Sequence, residues 1–282
     1  MADSDIPRVL VIAGSDSGGG AGIQADIKAC AAFGAYSATA ITAITVQNTL
    51  GVQQVEMLSP DLVRAQVRAV MSDIGADVIK IGMLGNEAVI NGVAEELGDV
   101  AALVVLDPVM VATSGDKLLE DSAINALRTK LVPICDVITP NVPEAEILTG
   151  QTMENVNDLI PAGKKLLDMG ADAALMKGGH MKGRMIVDGL VNAKENSVMT
   201  APRIQSKHTH GTGCTLASSV AACLALGLPL NEAVNAAREY VFEAIRTAPK
   251  LGRGNGPLNH GLASPESGDD GAADNPFPAP KN

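Results

Sequence analysis

The chain alternates short apolar runs with stretches of helical spacing along most of its length, and no other feature constrains its fold as strongly. Arg8 to Ala13 and Leu103 to Asp107 are apolar runs of strand length that are followed by a helical pattern, and a helical pattern precedes the similar run from Ala173 to Lys177. Gly34 and Gly98 stand where two of these helices should end. The alternation predicts an α/β fold, with a mostly parallel sheet covered by helices on both faces and functional groups at the carboxyl ends of the strands.

Three segments depart from this regular alternation. Met185 to Val191 and Ser197 to Ala201 have the pattern of an antiparallel pair, and Val52 to Met57 predicts a small flap. The composition changes only near the end, where Pro, Gly, Ala and Asp dominate. We therefore expect a single domain over residues 1–263 and a disordered acidic tail over residues 264–282.

Charge and composition exclude several classes of partner. A formal charge of −11 disfavours nucleic acid and anionic membranes, which need basic surface. No apolar run approaches the roughly 18 residues of a membrane span. The four cysteines have no metal-ligand spacing and the first residues have no apolar signal region, so we expect a cytoplasmic protein. Because the overall charge is negative, an anionic substrate would have to be bound by local positive groups, namely lysines, helix N-termini and a divalent cation.

The segment from Ser206 to Leu226 joins a glycine-rich turn directly to an apolar helix. Gly211 and Gly213 permit a turn with positive φ, and successive N–H groups then face one point at the helix N-terminus. A phosphoryl group would be held there, with Cys214 in the first helical turn aimed at the same point. The alternative is an ordinary capping turn followed by a small buried cysteine.

A second glycine-rich loop lies in Ala13 to Asp26. Gly20 to Ala25 matches the dinucleotide pattern G-x-G-x-x-A, but the next strand ends in Gln47 rather than in an acidic residue, so a nicotinamide site is a weak interpretation. The glycines allow the backbone to approach a ligand closely, and Asp26 could accept hydrogen bonds from a small polar molecule. For Asp16, helix capping and a functional role are both open.

Polar residues follow several strands, at positions that one sheet edge would bring together. Gln47, Met83, Asp107, Asn141 and Glu144 all occupy such positions. Asp107 and Glu144 suit a Mg²⁺ ion that keeps most of its waters and bridges phosphates. Helix capping is the alternative for both carboxylates.

Lys177 also follows a strand, and the glycines after it could place its ammonium beside a nucleotide phosphate. The four histidines, His180, His208, His210 and His260, lack metal-ligand spacing, and we interpret them as polar turn residues.

Seven of these segments are distinctive in content and spacing: Ala13 to Asp26, Val46 to Thr49, Lys80 to Leu84, Asp107 to Met110, Thr139 to Glu144, Met176 to His180 and Thr209 to Leu216. In this order they resemble the hydroxymethylpyrimidine and phosphomethylpyrimidine kinases of thiamine biosynthesis. The resemblance runs from about Arg8 to Gly261 and departs from the family at Ser17-Gly18 and at His208. It implies a three-layer ribokinase-like fold with eight or more mostly parallel strands, ATP and Mg²⁺ as cofactors, and usually a homodimer.

Carried onto this chain, the resemblance implies a site in three parts. The pyrimidine side consists of Gly14, Gly22, Asp26, Gln47, Met83 and Val109. The nucleotide side consists of Asn141, Lys177 and Thr209, with Asp107 and Glu144 at the metal. The catalytic turn consists of Gly211, Thr212, Gly213 and Cys214.

These roles predict how phosphoryl transfer proceeds. The backbone N–H groups of Thr212, Gly213 and Cys214 would hold the transferring oxygens, and Cys214 would act as a general base. The helix N-terminus should lower the pKa of this thiol from about 8.5 towards neutrality. A pyridoxine or pyridoxal kinase of the same superfamily remains the alternative enzyme. A pyrimidine sensor without activity is disfavoured, because it would not need an anion-binding turn or a metal site.

Overall fold

A computed structural model describes residues 6–98, 100–112 and 114–262, and its strands form one nine-stranded sheet. The order across the sheet is β3-β2-β1-β4-β5-β6-β7-β8-β9. The strands are β1 (Arg8–Asp16), β2 (Tyr36–Asn48), β3 (Gly51–Met57), β4 (Val78–Ile81), β5 (Leu103–Leu106), β6 (Val137–Ile138), β7 (Ala173–Met176), β8 (Met185–Asn192) and β9 (Asn196–Pro202).

The centre of this sheet is parallel and both of its edges are antiparallel. Strands β2, β1, β4, β5, β6 and β7 pair in parallel. β3 folds back on β2, and β8 and β9 follow β7 as an antiparallel pair. The predicted mostly parallel sheet, flap and antiparallel pair are therefore confirmed, and the carboxyl ends of six strands meet at one edge.

Eight α-helices cover the sheet within the described ranges. They are α1 (Gly22–Ala32), α2 (Pro60–Asp73), α3 (Glu87–Leu97), α4 (Asp121–Ala126), α5 (Val142–Thr149), α6 (Leu159–Asp168), α7 (Thr212–Ala225) and α8 (Leu230–Arg246). Sequence signals begin and end several of them. Ser59 accepts the amide of Leu62 and is followed by Pro60, and Gly150 ends α5 with a φ of +66°.

Alternate residues of the central strands face two separate apolar layers. Leu10 and Ile12 pack on one face, beneath α2 to α6. Val9 and Val11 pack on the other, with α1, α7 and α8. Both faces of a sheet strand are buried in this way only when helices lie on both sides. The three-layer α/β fold is confirmed.

One predicted helix is shorter than expected, and the predicted tail lies outside the described residues. The helix expected from Asp121 to Leu131 is α-helical only as far as Ala126 and then widens into a π-helical turn. The tail expected over residues 264–282 lies outside the described residues. Among the residues that are described, no helix is both long enough and apolar enough to cross a bilayer.

Candidate active site

The carboxyl edge of the parallel strands opens into a cleft of about 820 Å³. Gln47, Met83, Asp107, Asn141 and Glu144 all line this cleft, as their positions after successive strands predict. The other expected residues that line it are Gly14, Gly22, Val109, Lys177, Thr209, Gly211, Thr212, Gly213 and Cys214. The sheet topology therefore brings segments from the whole length of the chain to one site.

The glycine turn before α7 has the geometry of an anion-binding helix start. Gly211 has a φ of +83°, and a side chain there would collide with the carbonyl oxygen of Gly20. Gly213 and Cys214 are the second and third residues of α7, where amides have no helical carbonyl to bond. The Thr212 amide, expected to join them, instead donates to the carbonyl of Thr209 at 3.2 Å. Two of the three expected donors thus remain for an anion.

The thiol of Cys214 differs from the sequence expectation. Cys214 lines the cleft as expected, but desolvation by the surrounding protein raises the pKa of its thiol to about 12. Lys80 and the amide of Gly22 favour the thiolate and offset only part of this effect. The expectation of a pKa near neutrality is wrong for the substrate-free protein, because burial outweighs the helix N-terminus.

Asp26 is also not where the resemblance implied. Its side chain is fully buried, and its Oδ1 accepts from Nζ of Lys80 at 2.9 Å and from Oγ of Ser218 at 2.7 Å. Burial alone would lower the pKa of Lys80, but Asp26, with Cys214 and Asp107, outweighs burial and holds that pKa above its usual range. Asp26 is therefore the buried counter-ion of a buried lysine, away from the cleft surface.

Lys177 lies between two carboxylates at the other end of the turn. Its Nζ is 2.8 Å from Oδ1 of Asp107 and would be 3.3 Å from a Cβ at Gly213. Burial alone would lower the pKa of Lys177, but Asp107 and Glu144 outweigh burial and raise it. An ammonium is thus held beside the first turn of α7, where it would add to the charge that the helix amides offer an anion.

Glu144 caps a helix, and it also lines the cleft. It forms a capping box with Asn141, in which the Asn141 amide donates to Glu144 at 2.8 Å and the Glu144 amide donates back at 3.0 Å. Burial and the charge of Asp107 also raise the pKa of Glu144 to about 7, although Lys177 opposes this shift. A cation between the carboxylates of Asp107 and Glu144 would offset both the burial of the Glu144 charge and its repulsion by Asp107.

The donor set therefore fits a metal that shares its coordination with a ligand. In the described part of the chain, no three His, Cys, Asp or Glu side chains are grouped closely enough to enclose a metal ion. Asp107 and Glu144 are 1% and 6% exposed and face the same cleft. One or two carboxylates, completed by water and phosphate oxygens, are the usual protein contribution to a Mg²⁺ site.

The first glycine loop is organised by Asp16 rather than by a helix cap. Its carboxylate accepts the amides of Gly18, Gly20 and Ala21 at 2.7 to 3.0 Å, while α1 begins without a side-chain cap. His210 also contacts Asp16, so the interpretation of this histidine as a mere turn residue is wrong. Both residues line the cleft.

Sequence reasoning missed several apolar residues that also line the cleft. They are Ile186, Pro202, Ile204, Phe242 and Ile245. Ile186 and Pro202 belong to the β8–β9 pair, and Phe242 and Ile245 belong to the last helix. Because these elements are far apart in the chain, no local sequence pattern indicates that they line the same cleft.

An α/β sheet whose carboxyl edge carries an anion-binding helix start, a lysine and two carboxylates defines a phosphotransferase. The family model for phosphomethylpyrimidine kinase matches residues 16–259, and the chain belongs to this family. A hydroxymethylpyrimidine/phosphomethylpyrimidine kinase of Streptomyces coelicolor is 48% identical over 257 residues, which cover 91% of this chain and 95% of that protein. A thiamine biosynthesis bifunctional protein of Geobacter sulfurreducens is 46% identical, and the chain spans 52% of its length.

Solved structures of two kinds resemble this fold. The pyridoxal kinase from Staphylococcus aureus in complex with ADP superposes with a TM-score of 0.85 at 34% identity, covering 91% of this chain and 94% of that one. The phosphomethylpyrimidine kinase from Clostridium difficile superposes with a TM-score of 0.76 at 42% identity, covering 85% of this chain and 99% of that one.

Proposed function

We propose that this protein is an ATP-dependent kinase that phosphorylates 4-amino-5-hydroxymethyl-2-methylpyrimidine and then its monophosphate, giving the diphosphate for thiamine biosynthesis. One observation carries the proposal: a single cleft is lined by the apolar side chains of Met83 and Val109, an anion-binding turn and a lysine with two carboxylates, in a chain of the phosphomethylpyrimidine kinase family. Met83 and Val109 are the apolar walls of the ring pocket, and the Gln47 amide reads the ring edge.

The turn before α7 performs the transfer in this proposal. The amides of Gly213 and Cys214 bind the oxygens of the transferring phosphoryl group, and the Lys177 ammonium neutralises charge that develops on them. Because Gly213 lacks a side chain, Lys177 lies close to the helix start. Gly14 and Gly22 let the backbone approach the ring side of the substrate.

Asp107 and Glu144 would hold Mg²⁺, which when bound neutralises phosphate charge. Asn141 and Thr209 lie beside this position and belong to the nucleotide side. The apolar residues Ile186, Ile204 and Phe242, which also line the cleft, suit a purine ring. A homodimer, expected from the family resemblance, and a cytoplasmic location, expected from four reduced cysteines, belong to the same proposal.

The proposal is tested by measuring ADP release with purified protein, ATP and Mg²⁺. The panel contains the aminopyrimidine alcohol, its monophosphate, pyridoxine and pyridoxal. We expect kcat/KM for both pyrimidines to exceed that for either pyridine by at least about tenfold. The pyridoxal kinase structures make a pyridoxal kinase the second candidate, and a faster rate with pyridoxal would establish it instead. Binding of the pyrimidine without ADP release would indicate a sensor.

A matched pair of lysine variants tests the transfer chemistry. Lys177→Met removes the ammonium beside the turn and should lower kcat by roughly 10²-fold. Lys165→Met removes an exposed lysine whose Nζ donates to the carbonyl oxygen of Thr149 at 3.2 Å, and should change kcat by less than about twofold. Equal losses in the two variants would contradict the role given to Lys177.

A further inference from the structure

Asp16 and His210 form a buried polar pair between the first glycine loop and the catalytic turn. Nε2 of His210 lies 2.9 Å from Oδ2 of Asp16, although the two residues are 194 positions apart in the chain. Asp16 is 3% exposed, and the same Oδ2 accepts the amides of Gly20 and Ala21. These hydrogen bonds hold the Asp16 carboxylate in place, and the carboxylate in turn fixes the position of the His210 imidazole in the cleft.

The contact also determines where the imidazole carries its proton. Burial alone would raise the pKa of Asp16, but the hydrogen bond from His210 and the amides of Ala21 and Gly18 outweigh it and lower that pKa. A carboxylate can only accept hydrogen bonds, so Nε2 of His210 must be the protonated nitrogen. His210 donates this one hydrogen to Asp16, so its Nε2 cannot accept from another group and can only share the N–H with a second acceptor.

The group that approaches it is the side-chain amide of Gln47. As placed, Nε2 of Gln47 lies 3.3 Å from Nε2 of His210, so two donors face each other. The amide oxygen of Gln47 lies 3.1 Å from the hydroxyl of Thr45. That hydroxyl is 2.9 Å from the carbonyl oxygen of Ser15, which can only accept and therefore takes its one hydrogen. Two oxygens without a hydrogen between them then face each other as well.

Both conflicts disappear when the amide is rotated by 180° about its last bond. The oxygen of Gln47 then shares the His210 Nε2–H with Asp16 in a three-centre hydrogen bond, and the amino group donates to Thr45. We propose that His210, held by Asp16, and Thr45, held by Ser15, lock the Gln47 amide in this orientation and make His210 a specificity-determining positioning residue.

The locked orientation selects one ring edge, an inference that rests on the proposed function. The amide oxygen lies on the side of His210, which directly precedes the catalytic turn, and the amino group lies on the far side, at Thr45. A 4-aminopyrimidine has its amino group next to the hydroxymethyl carbon and its ring nitrogen one position further away. It therefore offers a donor to the oxygen and an acceptor to the amino group, in the matching order.

The 4-oxo analogue of the same ring is the probe, because its carbonyl and N–H reverse the order of donor and acceptor. A freely rotating amide would turn over and bind both rings. The locked amide leaves two mismatched pairs with the 4-oxo ring, so we expect calorimetry to show binding about 100-fold weaker than that of the 4-amino ring.

Variants of the two locking residues should relax this selection. His210→Phe removes the donor, and we expect the ratio of the two dissociation constants to fall by at least about tenfold, whereas His210→Gln, which retains an N–H at a similar reach, should preserve most of it. Thr45→Val should lower the ratio and Thr45→Ser should preserve it. The Thr45 pair tests the lock independently if His210→Phe does not fold. A general loss of structure would weaken both ligands and leave their ratio unchanged.

The outcomes separate this inference from the proposed function. If the unmodified protein binds the two rings within about threefold of each other, the lock is wrong and the kinase proposal stands. If a folded His210→Phe or Thr45→Val protein keeps the full ratio, the lock is also wrong. If the unmodified protein binds neither ring, the proposed function fails and the inference fails with it.

Discussion

The protonation of Cys214 is the property of the site on which sequence and structure disagree most, and its reactivity can be measured directly. The sequence predicts a thiol with a pKa near neutrality at a helix N-terminus. The structure raises that pKa to about 12, because the folded protein desolvates the sulfur. Alkylation of the substrate-free protein by iodoacetamide distinguishes the two, since only the thiolate reacts.

The expected difference in rate is large. At pH 7.5 an ordinary thiol with a pKa of about 8.5 is roughly one-tenth ionised. At the same pH a thiol with a pKa of about 12 is ionised only to about 3 parts in 10⁵. Thiolate fraction alone should therefore make Cys214 about 3 × 10³-fold slower than the exposed cysteine of an unstructured peptide whose thiol has a pKa of about 8.5.

The assay follows modification between pH 7 and 10 by intact mass, with peptide mapping to locate the label. The logarithm of the rate at Cys214 should rise with a slope near one and show no plateau over this range. Cys214→Ala is the control, because Cys30, Cys135 and Cys223 are at most 3% exposed and should remain unmodified while the protein is folded. A rate that levels off around pH 7 would refute the argument from burial.

The result also bears on catalysis. A protonated thiol cannot accept the proton of the substrate alcohol, so Cys214→Ala should reduce phosphorylation of the alcohol and of its monophosphate by similar factors. A thiolate base would affect the alcohol far more, since the monophosphate is already ionised at neutral pH. Separate rates with the two purified substrates decide between these outcomes.

Two further predictions concern stability. Asp26→Asn should lower the free energy of unfolding by about 3–5 kcal/mol in urea titrations, because it leaves Lys80 buried without its carboxylate, and adding Lys80→Met should recover much of the loss. If Asp26→Asn leaves the stability unchanged and weakens pyrimidine binding, Asp26 contacts the substrate and is not a structural counter-ion. Burial and the nearby Lys28 lower the pKa of His260 from 6.5 to about 4, and its Nε2 lies 2.9 Å from the Thr215 hydroxyl. The folded state resists protonation of His260, so the stability present above pH 6.5 should decline by on the order of 3 kcal/mol as the pH falls towards 4. His260→Gln should remove this component of the pH dependence, and an identical pH profile in the variant would show that His260 does not titrate in this way.

Much of the fold and part of the site follow from local sequence patterns. Strand and helix periodicities, with caps such as Ser59 and stops such as Gly150, depend on residues within one or two turns of each other. The same is true of the turn at Gly211, whose positive φ excludes ordinary side chains. Because parallel strands expose their carboxyl ends at one edge, the sequence also placed Gln47, Asp107 and Glu144 in a common cleft.

The protonation and orientation of these groups depend on contacts that no local pattern contains. Asp26 meets Lys80 across 54 positions and Ser218 across 192, and these partners make it a buried counter-ion. Desolvation by the folded protein raises the pKa of the Cys214 thiol, although the residue is only half-buried, and this effect outweighs the helix terminus beside it.

The sequence by itself thus determined the layered sheet, the turn and the identity of most cleft residues, because these depend on short-range periodicity and backbone sterics. Only the tertiary structure decided which carboxylates are buried, whether the thiol is ionised and which side chains surround the Gln47 amide. Those properties depend on desolvation and on hydrogen-bond partners from opposite ends of the chain, such as Asp16 and His210.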